Sequence, residues 1–136
     1  MAEMVKLEVV TPDREVVSVE TEEVSQLPGR DGLLGVLPGH APLMSTLSPG
    51  IISWMIGDDK EDDIVVAGGF AVIQDDVVTV LAEAAELPAE IDLDQAQESL
   101  ARLQAQLATA APDEEDAIRD EIALNDGRID AVARAE

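Results

Sequence analysis

The sequence predicts a β-sandwich, or flattened antiparallel barrel, over residues 1–87, followed by an α-helical hairpin over residues 91–136. Three features of the chain point there. Short β-type segments alternate with turn signals up to Pro88. Residue usage then changes sharply, from Val, Ile, Gly and Pro to Ala, Leu, Gln and Glu. Beyond that point the apolar residues recur at helical spacing.

Val5-Lys6-Leu7-Glu8-Val9 alternates apolar and polar residues, as a strand buried on one face does. Thr11-Pro12-Asp13 reads as a turn, and residues Val16 to Val24 mix Val with Ser, Thr and Glu. Prolines and glycines from Pro28 to Gly50 indicate a loop-rich middle. Ile51 to Ile56 and Ile64 to Ala67 are apolar β-type runs, joined by a charged hairpin tip over Gly57 to Asp63. Phe70 to Ile73 and Val77 to Leu81 form a second hairpin around Gln74-Asp75-Asp76.

In the helical part, Leu93, Ala96, Leu100, Leu103 and Leu107 form a narrow stripe. Asp92 stands at the N-cap with Gln95 three residues on, a capping-box arrangement. Pro112 stops the first helix, and Asp113 to Asp116 supply a cap and an acidic first turn for the second. Ile118, Ile122, Ile129 and Val132 give that helix an apolar side, and Asn125-Asp126-Gly127 is expected to end or kink it. Glu98 precedes Arg102, Glu115 precedes Arg119 and Asp130 precedes Arg134 by four residues, each pair adding about 0.2–0.5 kcal/mol. Two helices with thin seams bury little surface, so the hairpin needs the sandwich or another protein to lie on.

The chain of 136 residues carries 30 Asp plus Glu against 8 Lys plus Arg, a formal net charge of −22. Both parts are acidic, with 18 acids and 4 bases in residues 1–90 and 12 acids and 4 bases in residues 91–136. Such a chain is repelled by phosphates, which excludes nucleic acid as a partner. Phe70 and Trp54 are the only aromatic residues, so the core is built from Val, Ile, Leu and Ala. The absence of cysteine excludes disulfides, thiolate zinc sites and cysteine nucleophiles. No apolar run approaches the roughly 20 residues of a membrane span. The N-terminus lacks the marks of a signal peptide, so an intracellular protein without membrane insertion is expected.

Catalytic signals are weak. His40, in Pro38-Gly39-His40-Ala41-Pro42-Leu43, is the only histidine, and the nearby Ser45 and Thr46 stand in no nucleophile motif. Asp58, Asp59, Glu61, Asp62 and Asp63 lack the spacing of a calcium loop and read as a solvated tip. Gly68-Gly69 lacks the context of a phosphate loop. No metal, cofactor or self-contained enzymatic activity is expected. Composition and spacing alone give an acidic binding or scaffold subunit.

The middle segment goes further. Gly32-Leu-Leu-Gly-Val-Leu-Pro-Gly-His-Ala-Pro-Leu43, then Leu47-Ser-Pro-Gly50, Ala67-Gly-Gly-Phe70 and Val78-Thr-Val-Leu-Ala-Glu83, resembles the epsilon subunit family of F-type ATP synthases, whose mitochondrial counterpart is called delta. Leu7-Glu-Val-Val-Thr-Pro-Asp13 is similar too. The resemblance implies a non-catalytic rotor component of the central stalk, held by gamma and resting on the c-ring, at the cytoplasmic face of a bacterial inner membrane. It places the c-ring contact at Gly29, Arg30, Asp31, Gly32 and Leu33, with His40, Ala41, Pro42 and Leu43 close by. Some members bind ATP at a motif opening the first helix. Ile91, Asp92 and Ala96 match it, but Gln95 replaces its arginine. In some members the hairpin reaches the catalytic alpha/beta hexamer and blocks hydrolysis through basic residues. The acidic hairpin here is expected to inhibit weakly or not at all and to lie folded on the sandwich.

Overall fold

The structure is a computed structural model that describes residues 3–57 and 60–135. Its strands are β1 (Val5–Val10), β2 (Glu15–Thr21), β3 (Val24–Gly29), β4 (Gly32–Val36), β5 (Leu43–Leu47), β6 (Gly50–Gly57), β7 (Lys60–Val66), β8 (Gly69–Gln74), β9 (Val77–Ala82) and β10 (Ala85–Glu86). A single 3-10 turn at Pro88–Glu90 leads into α1 (Leu93–Thr109) and α2 (Glu115–Ala135). The architecture is the expected one, a sandwich followed by a helical hairpin.

The strands join in one hydrogen-bonded path, β10-β7-β6-β3-β5-β8-β9-β1-β2, with β4 added beside β3. β3 meets β5 at a single register pair, Gly29 opposite Leu47, and the path folds there into two layers. It nearly closes at the other side, where the Thr21 hydroxyl at the end of β2 donates to the Met55 carbonyl of β6 at 2.6 Å. Val5, Leu7, Val9, Ile73, Val78 and Val80 pack between the layers with Val24, Leu27, Val36, Ile52, Trp54 and Ile64. Each such side chain contributes about 1.5–3 kcal/mol of burial.

Most strands alternate buried and open residues, but β6 and β7 do not. Ile51 to Trp54 and Asp63 to Val66 are buried without interruption. The hairpin explains this, because it covers the second face of these two strands. There Ile51 and Val65 pack with Ala131, Leu124 and Ile91.

Several local expectations hold. The β8–β9 turn is two residues long with both in the left-handed region, Asp75 at φ 52° and Asp76 at φ 62°. The Asp92 carboxylate caps α1 by accepting from the Gln95 N–H at 3.1 Å. Ala96 and Leu103 are buried, with Leu93, Leu100 and Leu107 half-buried beside them.

Four expectations are corrected. The loop-rich middle contains β4 and β5, because Pro38, Gly39 and Pro42 lie between these short strands while Gly32 and Gly35 are accommodated within β4. The sheet has a parallel pair, β1 beside β9, since β1 is slotted between β9 and β2 with no hairpin linking it to β9. Of the charged tip, Asp58 and Asp59 lie outside the described residues, and Lys60 to Asp63 are strand. Finally, α2 runs unbroken through Asn125-Asp126-Gly127.

Tertiary packing overrides helix propensity at that point. The Asn125 amide donates to the Glu121 carbonyl at 2.9 Å, and its oxygen accepts from Arg128 at 3.1 Å. Gly127 lies against the backbone of Gly50, where helix and sheet meet. The second helix therefore has two working faces. Ile118, Ile122, Ile129 and Val132 are half-buried, while Leu124, Gly127 and Ala131 form the side that meets the sheet.

A Cβ at Gly127 would stand 3.6 Å from the Gly50 Cα, an ordinary contact, so Gly127→Ala is expected to stabilise the chain by about 0.5–1 kcal/mol. A Cβ at Gly69 would stand 2.1 Å from the Leu81 carbonyl oxygen at φ 139°, so Gly69→Ala is expected to cost at least about 1–3 kcal/mol. Urea unfolding of both variants followed by circular dichroism checks the opposite signs.

Candidate functional site

β3 and β4 form a hairpin whose connection is Arg30-Asp31. Gly29 stands opposite Gly32 at its base, and a Cβ on Gly29 would lie 2.6 Å from the Gly32 carbonyl oxygen. Gly32 itself has φ 138°, where side chains are strained. The tip is also pinned to the end of β5: Arg30 N–H donates to the Thr46 carbonyl at 3.0 Å, and Ser48 N–H to the Pro28 carbonyl at 2.8 Å. A stiff base thus presents the exposed side chains of Arg30, Asp31 and Leu33.

His40 to Leu43 lie elsewhere, in and just after the connection from β4 to β5. His40 N–H donates to the Leu37 carbonyl at 3.2 Å, and its ring Nδ1 is 2.6 Å from the Ala41 carbonyl oxygen. Gly39 N–H donates to the Asp76 carboxylate at 2.7 Å, tying this loop to the β8–β9 turn. The two groups of expected contact residues therefore sit at opposite ends of β4. An open cleft of about 320 Å³, lined by Asp31, Leu33, Leu43, Met44 and Thr46 among others, runs between them. The histidine bonds its neighbour's carbonyl rather than a nucleophile. Among the described residues, no three metal-ligating side chains gather.

A second surface escaped sequence reasoning. Thr46, Phe70, Leu81 and Val10 stand in one cross-strand row over β5, β8, β9 and β1, and Met44, Val72, Thr79 and Glu8 stand in the next. Met44 is 70% exposed, and Phe70 and Leu81 are each 51% exposed. The signal was present on β5, β8 and β9, where alternation over a wet face would have put charged residues at these positions.

A third surface is the seam between hairpin and sandwich, where arginines meet carboxylates. Arg30 holds Asp120 through both terminal nitrogens, at 3.0 and 2.9 Å. Arg128 holds Glu86 at 2.6 Å. Arg134 reaches the nearly buried Asp63 at 3.6 Å, and Asp63 accepts from the Ser53 hydroxyl at 2.5 Å. Arg14 pairs with Glu90 at 2.9 Å just before the hairpin. Of the expected in-helix pairs, Glu115–Arg119 and Asp130–Arg134 close at 3.6 and 3.2 Å. None of the cross-seam partners is close in sequence, so no local pattern announces them. Hydrogen bonds from Arg30 hold the Asp120 carboxyl below the usual carboxylate range, and Asp120 in turn raises Arg30. The Leu87 N–H, then Arg14, lowers Glu90.

The residues matching the nucleotide motif have structural positions. Ile91 packs in the seam, Asp92 caps α1, and Ala96 is buried in the stripe.

A family model described as "ATP synthase, Delta/Epsilon chain, beta-sandwich domain" matches residues 4–88. The ATP synthase epsilon chain of Koribacter versatilis is 47% identical over 83% of this chain and 78% of its own. That of Carboxydothermus hydrogenoformans is 43% identical over 82% of each. A chain in the Euglena gracilis mitochondrial ATP synthase, OSCP/F1/c-ring in rotational state 1, aligns with a TM-score of 0.73 at 28% identity, covering 97% of this chain and 81% of that one. A chain in the central stalk/c-ring of the Tetrahymena thermophila enzyme has the same fold, with a TM-score of 0.55 at 14% identity.

The lowered carboxylates fix a sign for pH. Their contribution is fully present above the ordinary carboxylate range and is lost as pH falls through their lower folded values. Asp120→Asn with Glu90→Gln is therefore expected to flatten the acid limb of the stability curve. Urea midpoints measured from neutral to acidic pH check this.

Proposed function

The chain belongs to the ATP synthase delta/epsilon family, and from that premise we propose that it is a non-catalytic central-stalk subunit tying gamma to the c-ring, so that proton-driven ring rotation reaches the catalytic sites. The observation that carries this reading is the apolar outer face over β5, β8, β9 and β1. On a chain of charge −22, a row of Phe70, Leu81 and Val10 beside exposed Met44 is a surface made to be covered. We assign gamma to that face and the ring to the Gly29–Leu33 tip, with His40 to Leu43 at the other end of the cleft.

Residues 1–87 act in this proposal as the coupling domain and residues 91–136 as its hairpin. The site of action is the cytoplasmic face of a bacterial inner membrane, held peripherally through the complex. Among the described residues, no helix is long and apolar enough to cross a membrane. Arg128 and Arg134 are engaged with Glu86 and Asp63 of the sheet, which favours a docked hairpin over one that grips the alpha/beta hexamer. Gln95 and the structural positions of Ile91, Asp92 and Ala96 favour a helix start over an ATP site.

Phe70→Asp with Leu81→Asp is expected to reduce co-purification with gamma at least tenfold while the isolated chain keeps its circular dichroism spectrum, because both side chains face outward. Retention of gamma by this folded variant would remove the assignment of that face. For the hairpin, the experiment uses ATP synthase depleted of this subunit and reconstituted with full-length chain or a chain ending at Glu90, which keeps the Arg14–Glu90 pair. Both are expected to restore hydrolysis-driven proton pumping at equal hydrolysis rates. A several-fold rise in hydrolysis on truncation would make the hairpin a brake.

A further inference from the structure

We propose that the ring-facing tip and the C-terminal hairpin compete for Arg30: Asp120 holds its guanidinium while the hairpin lies on the sandwich, and a carboxylate of the ring takes it when the tip docks. This rests on the reading of Gly29–Leu33 as the ring contact.

Arg30 is the only cation between Arg14 and Lys60, so the tip has no second basic side chain to offer. Asp120 fills the end-on fork of the guanidinium through both terminal nitrogens. The surrounding field is already negative. Asp116 on α2, Glu83 after β9 and Asp31 on the tip itself all lie beside the pair or next to it in the chain. A further carboxylate entering there meets several anions around one cation. Release of α2 removes two of those anions together, Asp120 and Asp116, and frees the fork.

The pair is also exchangeable. Arg30 and Asp120 are 47% and 41% exposed, and a pair so open to water shifts an equilibrium by only about two- to fivefold. Asp120 therefore acts as an internal stand-in for the partner's carboxylate, and it shows the chemistry that Arg30 accepts.

The test follows two readouts on the full chain. Spin labels on Glu22→Cys and Gln104→Cys, in a sequence free of cysteine, report the docked fraction of the hairpin. Binding to membranes stripped of F1, gamma included, but retaining the c-ring reports tip docking. Asp120→Asn and Arg30→Gln are both expected to raise the undocked fraction about two- to fivefold. They part on the membranes, where Asp120→Asn tightens binding by a similar factor and Arg30→Gln weakens it. The reversed pair, Arg30→Asp with Asp120→Arg, restores hairpin docking but leaves membrane binding weak. If Arg30→Gln weakens binding while Asp120→Asn leaves it unchanged, competition is refuted and the tip remains a ring contact. If Arg30→Gln leaves binding unchanged, the ring assignment itself fails and the proposal with it. If neither variant moves the docked fraction, the latch is refuted.

Discussion

Positive charge is scarce in this molecule, and its placement decides what the chain holds together. Eight cations face thirty carboxylates, and self-repulsion at −22 works against compactness. Four of the eight stand where the sandwich meets the segment that follows it: Arg14 with Glu90, Arg30 with Asp120, Arg128 with Glu86 and Arg134 with Asp63. The open pairs among them, Arg14 with Glu90 and Arg30 with Asp120, add little each. The Arg134 pair differs, because Asp63 is nearly buried in β7 and leans on the buried Ser53. Removing the arginine leaves that carboxylate short of a counter-charge in a poorly solvated place, a larger penalty than the pair's net contribution. The hairpin is thus fixed at its last turn and adjustable at Arg30.

The corner that carries Arg30 is also where the sheet turns from one layer to the other. Gly29 is both the only register partner of β5 on β3 and the base of the tip. Pro28 accepts from Ser48, and a Cβ at Gly50 would sit 2.9 Å from the Pro28 Cβ. Gly50 in turn receives Gly127 of α2. One tightly packed point therefore links the layer hinge, the tip and the hairpin.

How much of this is legible in the sequence depends on the range of the interactions. The β1 alternation, the Asp75-Asp76 turn, the Asp92 cap and the Leu93 to Leu107 stripe are local, and the sequence displays them. The unbroken run Ile51 to Trp54 also holds a clue, since a strand with no polar face needs a cover on both sides. What stays hidden depends on distant partners. Asp63 reads as one more acid in a solvated tip until Ser53 and Arg134 close on it. Asn125-Asp126-Gly127 reads as a helix end until Gly50 and Arg128 give its residues a use. Family resemblance singles out Arg30 for an external contact, and only the fold reveals its internal one. Neither assignment follows from the other.

The two apolar surfaces of the sandwich differ in a way that sets the energetics. One is covered by the hairpin through a small cluster, Ile51, Val65 and Ala131 with half-buried Ile91 and Leu124. At about 25 cal/mol per Å², so small a contact supplies on the order of a few kcal/mol, and ordering the hairpin offsets part of it. Docking is therefore an equilibrium within reach of one good partner contact, which is the range in which a binding event moves populations. The other surface, around Phe70 and Leu81, is built from large side chains left half open. It gains most when a partner covers it and loses nothing when the hairpin moves, because α2 packs on β6 and β7 in the other layer. A sandwich so arranged keeps one apolar face open whatever the hairpin does, while its other face has a cover held by a small contact.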